Sequence, residues 1–251
     1  MSRITWDALG ERIYEIGLDH GVLYLQDEND DDDGYSIGVP WNGLTKVTNP
    51  MLNDDSNPLY SGDTVTDSSY APGSYSGTIE ALTYPEEFEQ CIGVTDVHPG
   101  IEVSRQDVAT FGLSYRTLIG SDAEGTEKGY TLHLLYNVRI PKFTKTYATM
   151  SDSLEVEPLS WDYEAFPETI SYGDMAPIYH MAIDSVNTPA SVVRWIEELL
   201  YGTETTDPRL PSPEEIVENY YAHYDIWHGY PSLGIYPSMD KYPINPETPG
   251  S

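Results

Sequence analysis

The side chains of this sequence that could do chemistry are mostly carboxylates. The chain has 42 Asp and Glu against 12 Lys and Arg in 251 residues, a formal net charge of -30. The densest acidic run, residues 27–33 (DENDDDD), can be aligned with a calcium-binding loop so that Asn29, Asp31 and Asp33 take its first, third and fifth ligand positions. The twelfth position needs a bidentate Glu but holds Pro40, and no predicted helix flanks the run. We therefore expect a solvated acidic loop rather than a dedicated calcium site.

Nucleophilic and imidazole side chains form no recognisable catalytic or metal-binding motif. The six histidines are scattered, and neither HExxH nor a zinc-type Cys/His spacing occurs. A phosphate-binding glycine loop, GxGxxG and GxSxG are also absent from the sequence. His133 alternates with apolar residues and is expected in a core or an interface, and Cys91 is expected to be a small buried residue. The sequence therefore predicts no enzyme and no cofactor, although catalytic triads are recognised by geometry and not by motif.

The strongly negative charge makes two classes of partner unfavourable. Binding to phosphates needs Lys and Arg to displace condensed counterions, so the outer surface is not expected to bind nucleic acid. An anionic membrane would repel the chain for the same reason, so we expect no membrane binding by this subunit. The sequence has no signal-peptide pattern and no apolar run of about 20 residues. We expect the protein to be made and kept in a cytosol until it is released.

Short strand patterns separated by turn signals predict the elements that position these residues. The turn-like residues 18–21 (LDHG) predict a hairpin between strands at 12–17 and 21–25. Two stronger apolar runs, residues 108–119 and 130–138, flank an acidic, Gly-rich tip (GSDAEGTEKG) and predict a long antiparallel hairpin. Further strands are predicted at residues 43–48, 76–84, 154–166 and 178–183.

One short helix is predicted inside the strand region. Pro85 opens it, acidic residues Glu86 and Glu87 lie at its positive end, and Gly93 stops it.

Two further helices are predicted after the strands. The first begins at Thr188 and Pro189 and ends at Gly202. Ser212 opens the second as part of a capping box, and this helix is expected to run through Tyr221. The apolar stripe of the first helix consists of Val192, Val193, Ile196, Leu199 and Leu200.

These elements predict a mainly β fold: a β-sandwich or barrel with long β-hairpins, one short internal helix and C-terminal helices. We expect a β-sandwich domain at residues 1–186, a helical segment at 187–221 and an extended Tyr/Pro-rich arm at 222–251. Residues 49–77 are rich in Asn, Asp, Ser, Pro and Gly and predict a structureless loop. We expect that loop to be mobile in a monomer and ordered in an assembly.

Several segments, spread in order over most of residues 6–218, resemble one known family. They are residues 10–25 (GERIYEIGLDHGVLYL), 38–44 (GVPWNGL), 77–88 (GTIEALTYPEEF), 111–117 (FGLSYRT), 125–136 (GTEKGYTLHLLY), 147–153 (YATMSDS) and 189–218, which contains LYGTETTDPRLPSPEEIVE. In this order they resemble the major tail tube proteins of siphophages, particularly those that infect actinobacteria. Residues 222–251 fall outside the resemblance.

The resemblance implies a structural role in a virion. Proteins of this family share a β-sandwich fold and form hexameric rings that stack into a tube, with β-hairpins lining an acidic lumen. The implied partners are other copies of the chain and the tape measure, tail terminator and distal tail proteins. Double-stranded DNA would pass through the lumen without specific binding. The implied location is the virion tail, after synthesis in the host bacterial cytoplasm.

The acidic tip of the long hairpin carries the candidate site residues Asp122, Glu124 and Glu127. Within the family resemblance they would lie at a ring-to-ring contact or in the lumen, where acidic groups repel DNA. The alternative is a solvated turn with no partner, and the sequence does not decide between them.

Two other functions are compatible with the composition. A carbohydrate-binding or receptor-binding β-sandwich would use some of the 21 Tyr and 5 Trp for stacking on sugars. A hydrolase whose site has no sequence motif is the other alternative.

Overall fold

The computed structural model describes residues 9–10, 12–26, 34–49, 56–61, 64–70, 75–104, 106–142, 144, 157–168, 170 and 177–223. The fold is mainly β, as the sequence predicts. The strands are β1 Ile13–Gln26, β2 Tyr35–Pro40, β3 Leu44–Thr48, β4 Ser56–Ser61, β5 Thr64–Tyr70, β6 Tyr75–Ala81, β7 Val94–His98, β8 Ile101–Ser104, β9 Phe111–Ser121, β10 Gly125–Lys142, β11 Leu159–Ala165 and β12 His180–Asp184. The helices are a 3₁₀ helix Glu86–Ile92, α1 Ala190–Tyr201 and α2 Pro213–Asn219.

Eight strands form one antiparallel sheet. Seven of them follow the order β2-β1-β9-β10-β11-β6-β3, and β12 pairs with β10. The long strand β10 meets two partners on the same side in succession, β12 over residues 131–135 and β11 from Val138 onward. The connection from β2 to β3 passes beside β1. There the Trp41 N–H donates to the Gly21 carbonyl at 2.8 Å, and the chain then turns into β3, the last strand of the order. The sheet therefore curls so that its last strand comes back beside β1.

Each face of the central strands buries its own apolar core. One core is rich in aromatic residues and includes Trp41, Phe88, Trp161 and Tyr163. The other lies on the opposite face, where α1 and α2 cover side chains of β1, β2, β10 and β12. A bulge at Asn137, whose φ is 49°, shifts the register of β10 against β9, so the aromatic core takes Leu135 before the bulge and Val138 and Ile140 after it.

Helix ends follow the predicted signals with two exceptions. Gly93 stops the 3₁₀ helix in a left-handed conformation, and the Ser212 hydroxyl accepts the Glu215 N–H at 3.1 Å at the start of α2. Gly202 follows α1 as predicted. The predicted cap from Thr188 is wrong, because Pro189 is the N-cap and no side chain caps this end. The α2 helix ends at Asn219, two residues before the predicted end.

Two strand predictions need correction. Residues 12–25 were expected to form a hairpin, but residues 13–25 belong to the single strand β1, because Gly17 (φ 73°) and His20 (φ 51°) form irregularities within a continuous pairing with β9. Residues 49–77 were expected to be structureless, yet they contain the β4–β5 hairpin and the start of β6. Residues 27–33 and 224–251, which hold the acidic run and nearly all of the predicted C-terminal arm, lie outside the described residues.

The predictions for the two singled-out core residues are confirmed. Cys91 is buried, and its burial raises the pKa of the thiol to about 12, so the thiol is unreactive at neutral pH. His133 is buried in β10. Neither α1 nor α2, the α-helices of the described part of the chain, has the length and apolarity required to cross a bilayer.

Candidate functional site

Part of the main sheet extends beyond its covering strands. The strand β2 pairs with β1 only over residues 22–26, and β11 pairs with β10 only from Val138 onward. The parts of β1 and β10 that β2 and β11 leave uncovered form a four-stranded segment together with β9 and β12, in the order β1-β9-β10-β12. We call residues 13–20, 115–121, 125–135 and 180–184 the extension. Its side chains in β1 are largely exposed, in contrast to the buried second half of the same strand.

The extension has an open edge on each side. Among the described residues, no strand pairs with the outer edge of β1 over residues 13–20 or with the outer edge of β12. An open strand edge carries unpaired N–H and C=O groups that can pair with another chain. The extension therefore offers two sites for strand addition, on opposite sides of one small sheet.

The ladder of β12 shows which backbone groups point outward. The Ser185 N–H donates to the Tyr130 carbonyl at 2.9 Å, and the Tyr136 N–H donates to the Tyr179 carbonyl at 3.1 Å. Because antiparallel ladders bond alternate residues, the odd-numbered residues of β12 bond to β10. The backbone groups of His180, Ala182 and Asp184 therefore face away from it.

The same argument applies to β1. The Asp122 N–H donates to the Arg12 carbonyl at 3.3 Å, which fixes the even-numbered residues near the tip as the ones that bond to β9. The backbone groups of Ile13 and Glu15 therefore point to the open side.

The open edge of β1 is apolar as well as unpaired. Ile13 is 59% exposed, Ile16 51% and Tyr14 43%, and Leu9 just before the strand is 81% exposed. Natural edge strands are usually protected by charges, proline or a covering element. The edge of β1 carries Glu15 and Asp19, but its exposed Ile13, Tyr14 and Ile16 are typical of a surface that a partner covers.

The strand directions allow copies of the extension to join head to tail. All three pairings within the extension are antiparallel, so β1 and β12 run in opposite directions. If β1 of one copy lies beside β12 of the next, the new pair is also antiparallel. The registers place the open part of β1 nearer the tip than β12. A stagger between neighbouring segments is what a closed barrel of tilted strands requires.

The predicted site residues lie together at the tip of the extension. Asp122 and Glu124 lie in the turn between β9 and β10, and Glu127 lies near the start of β10; all three are exposed. The Asp122 carboxylate accepts the N–H of Gly10 at 2.7 Å, so it fastens the chain before β1 to the tip. Asp122 therefore has a structural role, while the positions of Glu124 and Glu127 fit either a contact between copies or a solvated turn.

The arginine of the extension is neutralised by an internal carboxylate. Arg116 makes two hydrogen bonds to Asp19, at 2.7 and 2.8 Å, and its guanidinium lies 4.8 Å from the centre of the Tyr130 ring. The hydrogen bond from Arg116 is the largest cause that holds the pKa of Asp19 below its usual value. Because Asp19 already neutralises its guanidinium, Arg116 contributes little to the binding of a DNA phosphate.

The described residues provide little support for the catalytic and sugar-binding alternatives. Thr117 and His133 are 2.9 Å apart, as a nucleophile and its base would be, but burial lowers the pKa of His133 to about 4, which makes it a weak base. Of the tryptophans in the described ranges, Trp41 and Trp161 are buried, and Trp195 stacks on His223. They do not form an exposed platform for a sugar.

Acidic residues come close to one another at one further place. Glu89, Asp96 and Glu102 could bring one oxygen each within 4.8 Å of the others. Exposed carboxylates often cluster without an ion, and we assign no metal site to them.

The sequence predicted the hairpin tip but not the two open edges. An open edge depends on which strands pair, and β10 and β12 are about 50 residues apart in sequence. The one local signal was the cluster of apolar residues at positions 13, 14 and 16 in a strand that also carries charges. No protein-family model matches the chain, and no curated protein is significantly similar to it.

Proposed function

We propose that this chain is a structural subunit of a bacteriophage tail tube. Copies join head to tail through the open edges of the extension, form closed rings, and stack into a channel through which the genome leaves the virion. The ring of six and the stacking come from the family resemblance of the sequence. The observation that carries the proposal is the pair of open edges on opposite sides of one four-stranded sheet.

Two different edges favour a ring over a symmetric dimer. When an interface joins unlike surfaces, every added copy leaves one free edge of each kind, and growth stops only when the chain of copies closes. Because each copy contributes four strands of alternating direction, every pair of neighbouring strands around the ring is antiparallel. Closure also removes both open edges of the extension, which protects the apolar residues of β1.

The charge of the chain suits a passage for DNA. Each Lys or Arg that contacts a phosphate adds affinity through the release of counterions. A wall rich in carboxylates lacks that contribution, and its repulsion acts over about 8–10 Å at cellular ionic strength. The net charge of -30 and the pairing of Arg116 with Asp19 both reduce the affinity of the protein for DNA.

Proline substitution tests the open edges without removing a bond inside the subunit. The N–H groups of Ile13 and Ala182 face outward, so Ile13→Pro and Ala182→Pro each block one edge while the ladders to β9 and β10 keep their donors. The matched controls are Ile13→Val and Ala182→Ser, which retain the N–H. We expect each proline variant to remain monomeric and each control to assemble, as measured by mass photometry.

Mixing the two proline variants makes the test specific. The Ile13→Pro copy retains a working β12 edge, and the Ala182→Pro copy retains a working β1 edge. An equal mixture should therefore form heterodimers and nothing larger. Rings formed by either variant alone, or dimers of Ile13→Pro with itself, would contradict head-to-tail pairing.

A further inference from the structure

A chain of hydrogen bonds crosses the extension from one open edge to the other. It takes one side chain from each strand and is joined by a second side chain from β10. His180 Nε2 on β12 lies 3.1 Å from His133 Nδ1 on β10, and His133 Nε2 lies 2.9 Å from the Thr117 hydroxyl on β9. The Thr117 hydroxyl lies 3.4 Å from one oxygen of Glu15 on β1, and the Thr131 hydroxyl donates to the other oxygen at 3.0 Å.

The two histidine rings meet end to end. Their planes differ by 11°, and their centres are 5.3 Å apart. The distance between the ring centres is close to the sum of the 3.1 Å between the two nitrogens and one ring radius on each side. The two centres and the two nitrogens therefore lie nearly on one line. Because the planes are also almost parallel, the rings lie nearly in one plane with the nitrogens facing each other. A metal ion midway between the nitrogens would be closer than the 2.0–2.1 Å or so that zinc–nitrogen bonds require. The pair therefore shares one proton in a hydrogen bond and does not form a metal site.

The surroundings of the pair favour neutral rings. Tyr115 on β9 stacks on His133 with ring centres 4.7 Å apart, and Tyr75 on β6 stacks on His180 at 6.2 Å. Burial is the largest cause that lowers the pKa of both histidines to about 4, and the neighbouring His133 contributes to the shift of His180. Burial also raises the pKa values of both tyrosines, so their hydroxyls stay neutral.

Two carboxylates lie near the ends of the chain of hydrogen bonds. Glu15 reaches His133 only through Thr117. Asp184 is engaged at the end of β12, where its carboxylate accepts the N–H of Val186 at 2.7 Å.

We propose that the His133–His180 pair is an acid-sensitive lock that fastens β12 to β10. One proton between the facing nitrogens holds the rings together. If each ring carries two protons, two N–H groups face each other and two positive charges meet in a buried site. The rings must then separate, which loosens β12 and the open edge that it carries. The lock is a property of the single subunit and does not depend on ring assembly.

The direction of the pH effect follows from the two pKa values. An unperturbed histidine has a pKa of 6.5, against about 4 for each ring in the folded protein. Between these values the unfolded chain binds more protons than the folded chain. The stability supplied by the pair is complete above about pH 6.5 and is lost as the pH falls towards 4.

The acceptor Glu15 also predicts which ring nitrogens carry protons. A carboxylate only accepts, so the arrangement that satisfies every contact has Thr117 donating to Glu15, His133 Nε2–H donating to Thr117, and His180 Nε2–H donating to His133. Both rings should therefore be neutral Nε2–H tautomers at pH 7.

Denaturant unfolding of the full chain tests the lock. We compare the unfolding constant at pH 7 and pH 5 for the wild type, His180→Gln and the control His98→Gln, whose histidine lies on the exposed strand β7. The factor by which the unfolding constant rises from pH 7 to pH 5 should be at least about tenfold smaller in His180→Gln than in the wild type. In His98→Gln this factor should equal that of the wild type. Equal pH dependence in all three proteins would overturn the proposal.

Nitrogen NMR of the wild type keeps the proposal testable if His180→Gln does not fold. We expect His133 and His180 to remain neutral Nε2–H tautomers down to about pH 5, and the amides of Met181 and Ile183 to lose exchange protection when the rings become charged. Titration of both rings near 6.5, or protection of β12 that persists after they are charged, would show that the pair is no lock.

Discussion

The extension and the body of the protein use the same long strands in different ways. In the body, β1, β9 and β10 bury apolar side chains on both faces, against an aromatic core on one side and α1 and α2 on the other. In the extension, β1 and β12 each have an open edge, and β1 exposes the apolar residues Ile13, Tyr14 and Ile16. The difference indicates that folding stability comes mainly from the body, and it is the basis of our proposal that the open edges of the extension bind other copies.

The largest expected effect on stability comes from the body. Trp161 is fully buried and packs edge to face against Phe88, with ring centres 5.2 Å apart. We expect Trp161→Ala to lower the free energy of unfolding by about 3–5 kcal/mol because it leaves a large cavity. Denaturant unfolding measures this loss, and Trp195→Ala in the half-buried surface of α1 is the control with a smaller effect. A loss below about 1 kcal/mol would show that the aromatic core is not the main source of stability.

The extension should show the opposite behaviour. The double change Ile13→Ser and Ile16→Ser removes two exposed apolar side chains from β1. We expect the free energy of unfolding of the monomer to change by about 0.5 kcal/mol or less, as for other surface substitutions. Assembly should weaken at least tenfold in the midpoint concentration measured by light scattering. Unchanged assembly together with a large loss of monomer stability would reverse the roles of the two regions.

The smallest effect on the fold is expected at the tip. Replacing Asp122, Glu124 and Glu127 with Lys changes exposed side chains, apart from the bond between Asp122 and Gly10. We expect slower DNA release from virions that carry the variant, or disturbed assembly, because each Lys can bind a phosphate. The neutral variant with Asn and Gln at these positions is the control. Normal infectivity of the Lys variant would leave the tip as a solvated turn.

The sequence predicted the elements better than their pairing. Gly93 and Ser212 mark helix ends through local backbone geometry, so their roles could be recognised from neighbouring residues. Gly17 and His20 have the left-handed conformation that a turn would also need, and the sequence could not show that β9 pairs on both sides of them. The polar composition of residues 56–70 concealed the β4–β5 hairpin.

The candidate site could be predicted only in part. The acidic tip follows from the turn between two strong strand patterns, which is a local signal. The open edges and the His133–His180 pair depend on β12 lying beside β10, a contact between distant parts of the chain. Pairings of this kind are decided by packing in three dimensions and leave little trace in a single sequence.

Residue-level hydrogen exchange, compared between monomeric and assembled protein, tests the central claim most directly. The outward-facing amides of Ile13, Glu15, Ala182 and Asp184 should exchange rapidly in the monomer and become protected when copies join, while the amides of Met181 and Ile183, already bonded to β10, should change little. Equally rapid exchange of the outward-facing amides in assembled particles, or failure of the concentrated protein to assemble at all, would contradict a ring closed through these two edges.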